Sequence, residues 1–176
     1  MHKDVKKILV SYEEISKRCK ELGKEITEDF KDKNPLVVGL LKGSVPFMAE
    51  LCKNIECDLE MDFMDVSSYS GTESTGDIKI IKDLDTSVKN RSVIIVEDIV
   101  DTGKTLRTVQ DMLHQKGAKE IRIVTLLNKP DRRECEVLPD YIGFTVPNEF
   151  VIGFGLDYNE KYRNLPYVGV IKEEAI

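Results

Sequence analysis

Apolar residues recur along the first third of the chain at two spacings, and each change of spacing marks an element. Ile15, Cys19, Leu22, Ile26 and Phe30 stand three or four apart, the period of one helix face. Ser11-Tyr12-Glu13-Glu14, just ahead of them, has the form of a capping box, in which a serine hydroxyl and a glutamate carboxylate satisfy backbone amides reciprocally. Together they predict an amphipathic helix over residues 12–30. Leu36 to Leu41, after Pro35, is a short continuous apolar run of the kind that forms a buried strand. Lys42-Gly43-Ser44 then turns into a second helix, with Pro46 in its first turn, running to about Lys53. Leu59 to Val66 alternates and predicts another strand.

The apolar pattern lapses over residues 67–85, where Ser, Thr, Gly and acidic residues dominate. A loop this long within a compact domain is disordered or functional, and a lid over a site is a common use. Ile78-Lys79-Ile80 is expected to pair with a neighbouring strand. Periodicity resumes with a strand at Val93 to Val96 and a helix from Thr105 to Gln115 carrying Leu106, Val109 and Leu113 on one face. Gly117 ends that helix, and Ile121 to Leu127 is the next strand. Strand, helix and strand in succession form a βαβ unit, which requires parallel strands and a right-handed crossover. Tyr141 to Val146 and Phe150 to Phe154 are expected as further strands. No repeat or linker divides the chain, so residues 1–176 are expected to form a single α/β domain with a mainly parallel central sheet flanked by helices.

Composition then narrows the classes of function. With 176 residues, 41% hydrophobic and 33% charged, the chain is long enough to bury a core without disulfides or structural metal. A net charge of -6 argues against a nucleic-acid-binding surface, so an anionic ligand must be met by local groups and metal. Met1 to Lys7 lacks the apolar centre of a signal peptide, and no apolar stretch is long enough to span a bilayer. Cys19, Cys52, Cys57 and Cys135 contain no C-x-x-C pair. These features predict a soluble cytoplasmic protein with reduced thiols and no membrane association.

The densest chemistry lies between Val93 and Leu106. A run of β-branched residues delivers Glu97 and Asp98, Asp101 follows, and Thr102-Gly103-Lys104-Thr105 opens a helix. Open α/β sheets bind ligands at the carboxyl ends of their strands. Backbone amides at a helix N-terminus suit a phosphate monoester, Gly103 allows close approach, and the Thr102 and Thr105 hydroxyls add donors. Gly103-Lys104-Thr105 imitates the end of a nucleoside-triphosphate P-loop, but that motif needs a glycine where this chain has Asp98. A dinucleotide G-x-G-x-x-G also fails, for want of glycines. An isolated acid after a strand is usually a solvated cap. Three acids in five positions followed by Thr-Gly-Lys-Thr point instead to a site for a phosphorylated ribose and its diol beside a metal ion.

With those residues in place, Val93 to Leu106 resembles the phosphoribosyl pyrophosphate motif of the type I phosphoribosyltransferases, in the form that the hypoxanthine-guanine enzymes carry. Leu41-Lys42-Gly43-Ser44, Ser67-Ser68-Tyr69, Ser74-Thr75-Gly76-Asp77, Leu127-Asn128-Lys129-Pro130 and Phe150 to Tyr158 resemble the same family in the same order. The resemblance implies the type I phosphoribosyltransferase fold, with a small hood and a mobile lid loop. It also implies transfer of the 5-phosphoribosyl group from phosphoribosyl pyrophosphate to N9 of hypoxanthine or guanine, giving IMP or GMP and pyrophosphate in purine salvage. A Mg²⁺ cofactor and a homodimer or homotetramer come with it.

Residue roles follow from that resemblance. Glu97 and Asp98 would face the ribose hydroxyls and a magnesium ion, and Thr102, Gly103, Lys104 and Thr105 the 5′-phosphate. Asp101 would be the general base at purine N7. Lys42 and Gly43 would contact pyrophosphate at a Leu-Lys peptide that is often cis in the family. Arg163 would bind pyrophosphate, with Arg133 a candidate assistant. Lys129 would bond the 6-oxo group and disfavour adenine. Phe150 would stack on the base, the Val151 and Asp157 backbones would read its edge, and the Asp157 carboxylate would join a second magnesium. Ser68 and Tyr69 would tip the lid. Two alternatives stay open at this point: a regulatory protein that senses phosphoribosyl pyrophosphate, and a transferase for another base such as xanthine or a pyrimidine.

Overall fold

The computed structural model describes residues 1–68 and 78–176. Its elements begin with β1 (Val5–Val10), α1 (Tyr12–Asp29), β2 (Leu36–Leu40), α2 (Val45–Cys52) and β3 (Glu60–Ser68). They continue with β4 (Ile78–Lys82), β5 (Ser92–Val100), α3 (Lys104–Gln115), β6 (Glu120–Asn128) and a 3-10 turn at Pro130–Arg132. The chain ends with β7 (Tyr141–Thr145), β8 (Val151–Ile152), β9 (Val168–Ile171) and a last 3-10 turn at Glu173–Ala175.

Six strands form the main sheet in the order β4-β3-β2-β5-β6-β7. β3, β2, β5, β6 and β7 are parallel, and β4 returns antiparallel on β3. A second, antiparallel sheet, β1-β9-β8, forms a hood. The two-residue alternation of strand side chains divides the core. Val37, Ile94 and Val96 face one side with Ile15, Leu22 and Ile26 of α1 and Phe47 of α2. Leu36, Val38 and Ile95 face the other with Leu106, Val109 and Leu113 of α3. The capping box is present as expected: the Glu14 amide donates to Ser11 Oγ and the Ser11 amide to the Glu14 carboxylate.

The structure departs from the expected elements in three places. The strand expected at Phe150 to Phe154 is only Val151–Ile152, because Gly153, Phe154 and Gly155 take left-handed φ values and turn the chain there. β5 runs on to Val100, so Glu97 and Asp98 belong to the strand itself, because the ladder to β6 continues through Glu97↔Thr125 to Val100↔Asn128. β1 and β9 complete the hood where no strand was expected. Three of the loops that carry candidate residues leave the carboxyl ends of adjacent strands: Leu41–Ser44 after β2, Asp101–Gly103 after β5 and Lys129 after β6. Among the described residues no helix is long and apolar enough to cross a membrane, and all four cysteines are free thiols.

Asp62 on β3 pins the segment after β4. Its Oδ2 accepts from the amides of Asp85 (2.9 Å) and Thr86 (2.8 Å), and Oδ1 from Phe63 (2.7 Å). Burial pushes this carboxyl up, but the three amides and Lys82 outweigh it and hold it below its ordinary range. A depressed carboxylate contributes stability that is present above its unfolded pKa and lost as the pH falls through the folded one. Asp62→Ala strands the amides and is expected to cost about 2–4 kcal/mol in urea denaturation at neutral pH. That deficit should shrink in acid.

Candidate active site

Glu97 and Asp98 lie side by side at the end of β5, where the Ile99 amide donates to Asp98 Oδ1 at 2.7 Å. Gly43 makes room for the other oxygen, since a Cβ at that position would stand 1.8 Å from Asp98 Oδ2. The Leu41–Lys42 peptide beside it is cis. Burial pushes the Glu97 carboxyl well above its ordinary range and the neighbouring charge of Asp98 adds to it; burial raises Asp98 as well. Two hard oxygen donors held in a cleft that disfavours their charge suit a divalent cation. Among the described residues no group of three or more metal-ligating side chains exists. This fits a magnesium ion that completes its shell with substrate oxygens and water, as magnesium usually does.

Because the Glu97 pKa is raised, its contribution to stability is complete at low pH and lost as the pH rises through the folded pKa. In metal-free buffer at neutral pH, Glu97→Gln is therefore expected to raise Tm, since the amide has no ionisation for the site to disfavour. The gain should vanish in acid. Calorimetry across pH checks both parts.

Beyond the acids the chain turns through Gly103, which caps α3 with a left-handed φ of 83° and makes no side-chain capping bond. No acid stands in the first turn, and the Lys104 amide makes only a long 3.4 Å contact to Thr102 Oγ1. The helix thus presents its amides, with their partial positive charge, to a cavity of about 210 Å³ lined by Glu97 to Gly103, Thr105 and Leu106. The Lys104 ammonium pairs with Glu134 outside that lining. A second cavity, of about 230 Å³, is lined by Asp98, Ile99, Asp101, Lys129, Arg132, Phe150, Val151, Leu156 and Asp157. Asp98, Ile99 and Asp101 line both.

Asp101 stands at that junction with Oδ1 buried and without a hydrogen-bond partner among the described residues, while Oδ2 lies 3.5 Å from Arg132 Nη1. Lys129 is buried and donates from Nζ to the Glu149 carbonyl at 2.9 Å, leaving two of its three donors for the cavity. Phe150 is exposed toward the cavity and held edge-on by Tyr158, with ring centroids 5.6 Å apart. Val151 is buried on β8. Arg163 donates to the Gly155 carbonyl at 2.7 Å and pairs with Asp157 and Glu160, each at 3.2 Å. Lys42 pairs with Glu160 at 2.9 Å.

The structure thus brings Gly43, Glu97, Asp98, Asp101, Lys129, Phe150, Val151 and Asp157 to one cleft. Tyr69 and the Ser68 side chain lie outside the described residues. Arg133, the candidate assistant at pyrophosphate, is engaged elsewhere: it donates to the carbonyls of Asp101 (3.0 Å), Val100 (3.3 Å) and Val137 and to Asn128 Oδ1 (2.6 Å). It fastens the turn after β5 to the end of β6. Arg132 beside Asp101 and Glu160 on Lys42 were not anticipated. Their one signal in the sequence was a charge next to a motif residue.

A parallel sheet with paired acids and an anion-binding turn at its carboxyl edge, roofed by a small antiparallel sheet, is the build of an α/β enzyme that handles a phosphorylated ligand. The family model for the phosphoribosyl transferase domain matches residues 8–159, and the chain belongs to that family. It is 59% identical over 176 residues to a hypoxanthine-guanine phosphoribosyltransferase of Lactococcus lactis, covering 99% of this chain and 96% of that protein. The structure of a hypoxanthine phosphoribosyltransferase from Staphylococcus aureus superimposes with a TM-score of 0.96 at 50% identity, covering 99% of this chain and 96% of the other. The hypoxanthine phosphoribosyltransferase of Trypanosoma cruzi, solved with the product IMP, superimposes with a TM-score of 0.94 at 38% identity, covering 100% and 99%.

Proposed function

We infer that this chain transfers the 5-phosphoribosyl group of phosphoribosyl pyrophosphate to N9 of hypoxanthine and guanine, forming IMP or GMP and pyrophosphate in purine salvage. The identity of its relatives supports the reaction, and one observation in the site carries it. Asp101 presents a buried carboxylate oxygen, without a partner among the described residues, where the anion cavity meets the one lined by Lys129 and Phe150. An orphaned acceptor of that kind costs about 1–3 kcal/mol, and a purine N7–H would relieve it.

In this reading the amides of Thr102 to Thr105 hold the 5′-phosphate and fix the ribose below the base. Glu97 and Asp98 hold the ribose hydroxyls and a magnesium ion, with Asp157 placed to join a second. When bound, magnesium supplies charge neutralisation for the departing pyrophosphate. Lys42, Gly43 and Arg163 take up that group from the protein side. The carboxylates of Glu97 and Asp98 would face the positive charge that develops on the sugar, and preorganised charge of this kind is the main catalytic device of such a site. Asp101 takes the proton at N7 as N9 bonds to the sugar. Lys129 donates to the 6-oxo group, and adenine, with a donor there, would leave one N–H of the buried ammonium facing another donor. Phe150 stacks on the ring, the Val151 and Asp157 backbones meet its edge, and Ser68 and Tyr69 at the lid exclude water. The enzyme acts in the cytoplasm as a homodimer or homotetramer.

A spectroscopic assay with phosphoribosyl pyrophosphate, magnesium and each of hypoxanthine, guanine, xanthine and adenine tests the reading. Nucleotide should form from hypoxanthine and guanine and not from adenine. Absence of product from every 6-oxopurine sinks it.

A further inference from the structure

Glu160 stands on Lys42 and Arg163, the two cations proposed to receive pyrophosphate. Its Oε2 lies 2.9 Å from Lys42 Nζ and its Oε1 3.2 Å from Arg163 Nη2, so one carboxylate bridges both. The backbone is shaped for that reach. The Glu160 amide donates to Asp157 Oδ2 at 2.9 Å. Asn159, Glu160 and Tyr162 all take left-handed φ values, of 51°, 62° and 77°, which residues other than glycine adopt only when their surroundings hold them. Hydrogen bonds from Lys42 first and Arg163 second keep the Glu160 carboxyl below its ordinary range, so it is a full anion.

We propose that Glu160 is a built-in competitor of the pyrophosphoryl group, a carboxylate that neutralises Lys42 and Arg163 until the donor displaces it and that reclaims them as pyrophosphate leaves. The proposal rests on the reading that Lys42 and Arg163 receive pyrophosphate. Exposure sets the strength of the competition. Lys42 and Glu160 are 63% and 64% exposed, and ion pairs that open to water are weak. A polyanion therefore wins, and Glu160 tunes affinity without closing the site. The displaced side chain has somewhere to go. Glu160 forms part of the wall of a cavity of about 640 Å³ whose other walls include His2, Lys3, Asp4 and Lys161.

Titration calorimetry with magnesium pyrophosphate, and steady-state kinetics on the full chain, test this with Glu160→Gln and Arg163→Gln side by side. Glu160→Gln is expected to lower both the Kd for pyrophosphate and the KM for phosphoribosyl pyrophosphate by about three- to tenfold, with the KM for hypoxanthine unchanged. A merely structural role would weaken both substrates together. Arg163→Gln should weaken pyrophosphate binding. If it does, and Glu160→Gln leaves pyrophosphate binding unchanged or weaker, the competitor role is overturned while the pyrophosphate assignment stands. If Arg163→Gln has no effect on pyrophosphate, the assignment itself fails and the competitor role with it.

Discussion

Asp101→Asn is expected to lower kcat by about 10²- to 10⁴-fold, the usual contribution of a positioned general base, while the Kd for phosphoribosyl pyrophosphate changes by less than about twofold. The split follows from where the side chain points. The turn proposed to hold the phosphate is shaped by the Asp101 main chain, whose carbonyl Arg133 holds at 3.0 Å, and asparagine leaves that main chain alone. Asp101 lines the second cavity, and one oxygen of its carboxylate is buried and without a partner among the described residues. Asparagine retains the shape and the reach but not the affinity for a proton. Equilibrium titration with the donor, paired with single-turnover kinetics, separates the two quantities. A loss confined to donor binding would falsify the assignment of Asp101 as base.

Gly43→Ala is expected to reduce kcat/KM for phosphoribosyl pyrophosphate by about 100-fold, through geometry and without any change of charge. The added methyl would stand 1.8 Å from Asp98 Oδ2 and 2.6 Å from its Cγ. Gly43 itself is confined from behind, because its carbonyl lies 1.9 Å from where a Cβ on Gly155 would be. The loop after β2 therefore has little room to retreat, and Asp98 must turn away from the cleft. Displacing a positioning group by about 1 Å costs rates of this order. Hypoxanthine binding, measured by its own titration, should change little, since Gly43 lies off the purine cavity. A loss of less than about threefold would contradict the close approach.

The parts legible in the sequence are those whose causes are local. Ser11 and Glu14 announce α1 because a capping box is written within four residues. The run from Val93 to Leu106 announces the anion site because strand, acids and helix start are contiguous. The hood was half hidden for the opposite reason. β1 is buried at Val5 and Val10 and exposed between them, and its pairing with β9 is interrupted twice by register shifts, so it shows neither alternation nor a continuous apolar run. β9 is buried throughout but only four residues long. Charged neighbours were harder still. Arg132 and Arg133 are adjacent in sequence, yet one guanidinium pairs with the Asp101 carboxylate and the other binds the Asp101 carbonyl in the turn after β5. The geometry of the 3-10 turn at Pro130–Arg132 makes that choice, and no spacing rule contains it. Glu160 reaches Lys42 only because the left-handed backbone around it folds back on the loop after β2.

The hood has one more property, which concerns how the molecule can be rebuilt. β1 and β9 come from opposite ends of the described chain, lie antiparallel with Val5 opposite Ile171, and are followed outward by a bond from the Lys172 amide to the Asp4 carbonyl at 2.9 Å. A short linker from Ile176 to Met1 would make this pair consecutive in sequence, joined by a long loop that keeps the 3-10 turn at Glu173–Ala175. New ends could open in the exposed connection between α3 and β6. Such a circular permutant keeps every residue of the cleft in place and replaces a long-range strand pairing with a local one. The cut makes the β5–β6 ladder long-range in exchange, so contact order does not fall, and the permutant should keep the parent's substrate affinities without refolding faster.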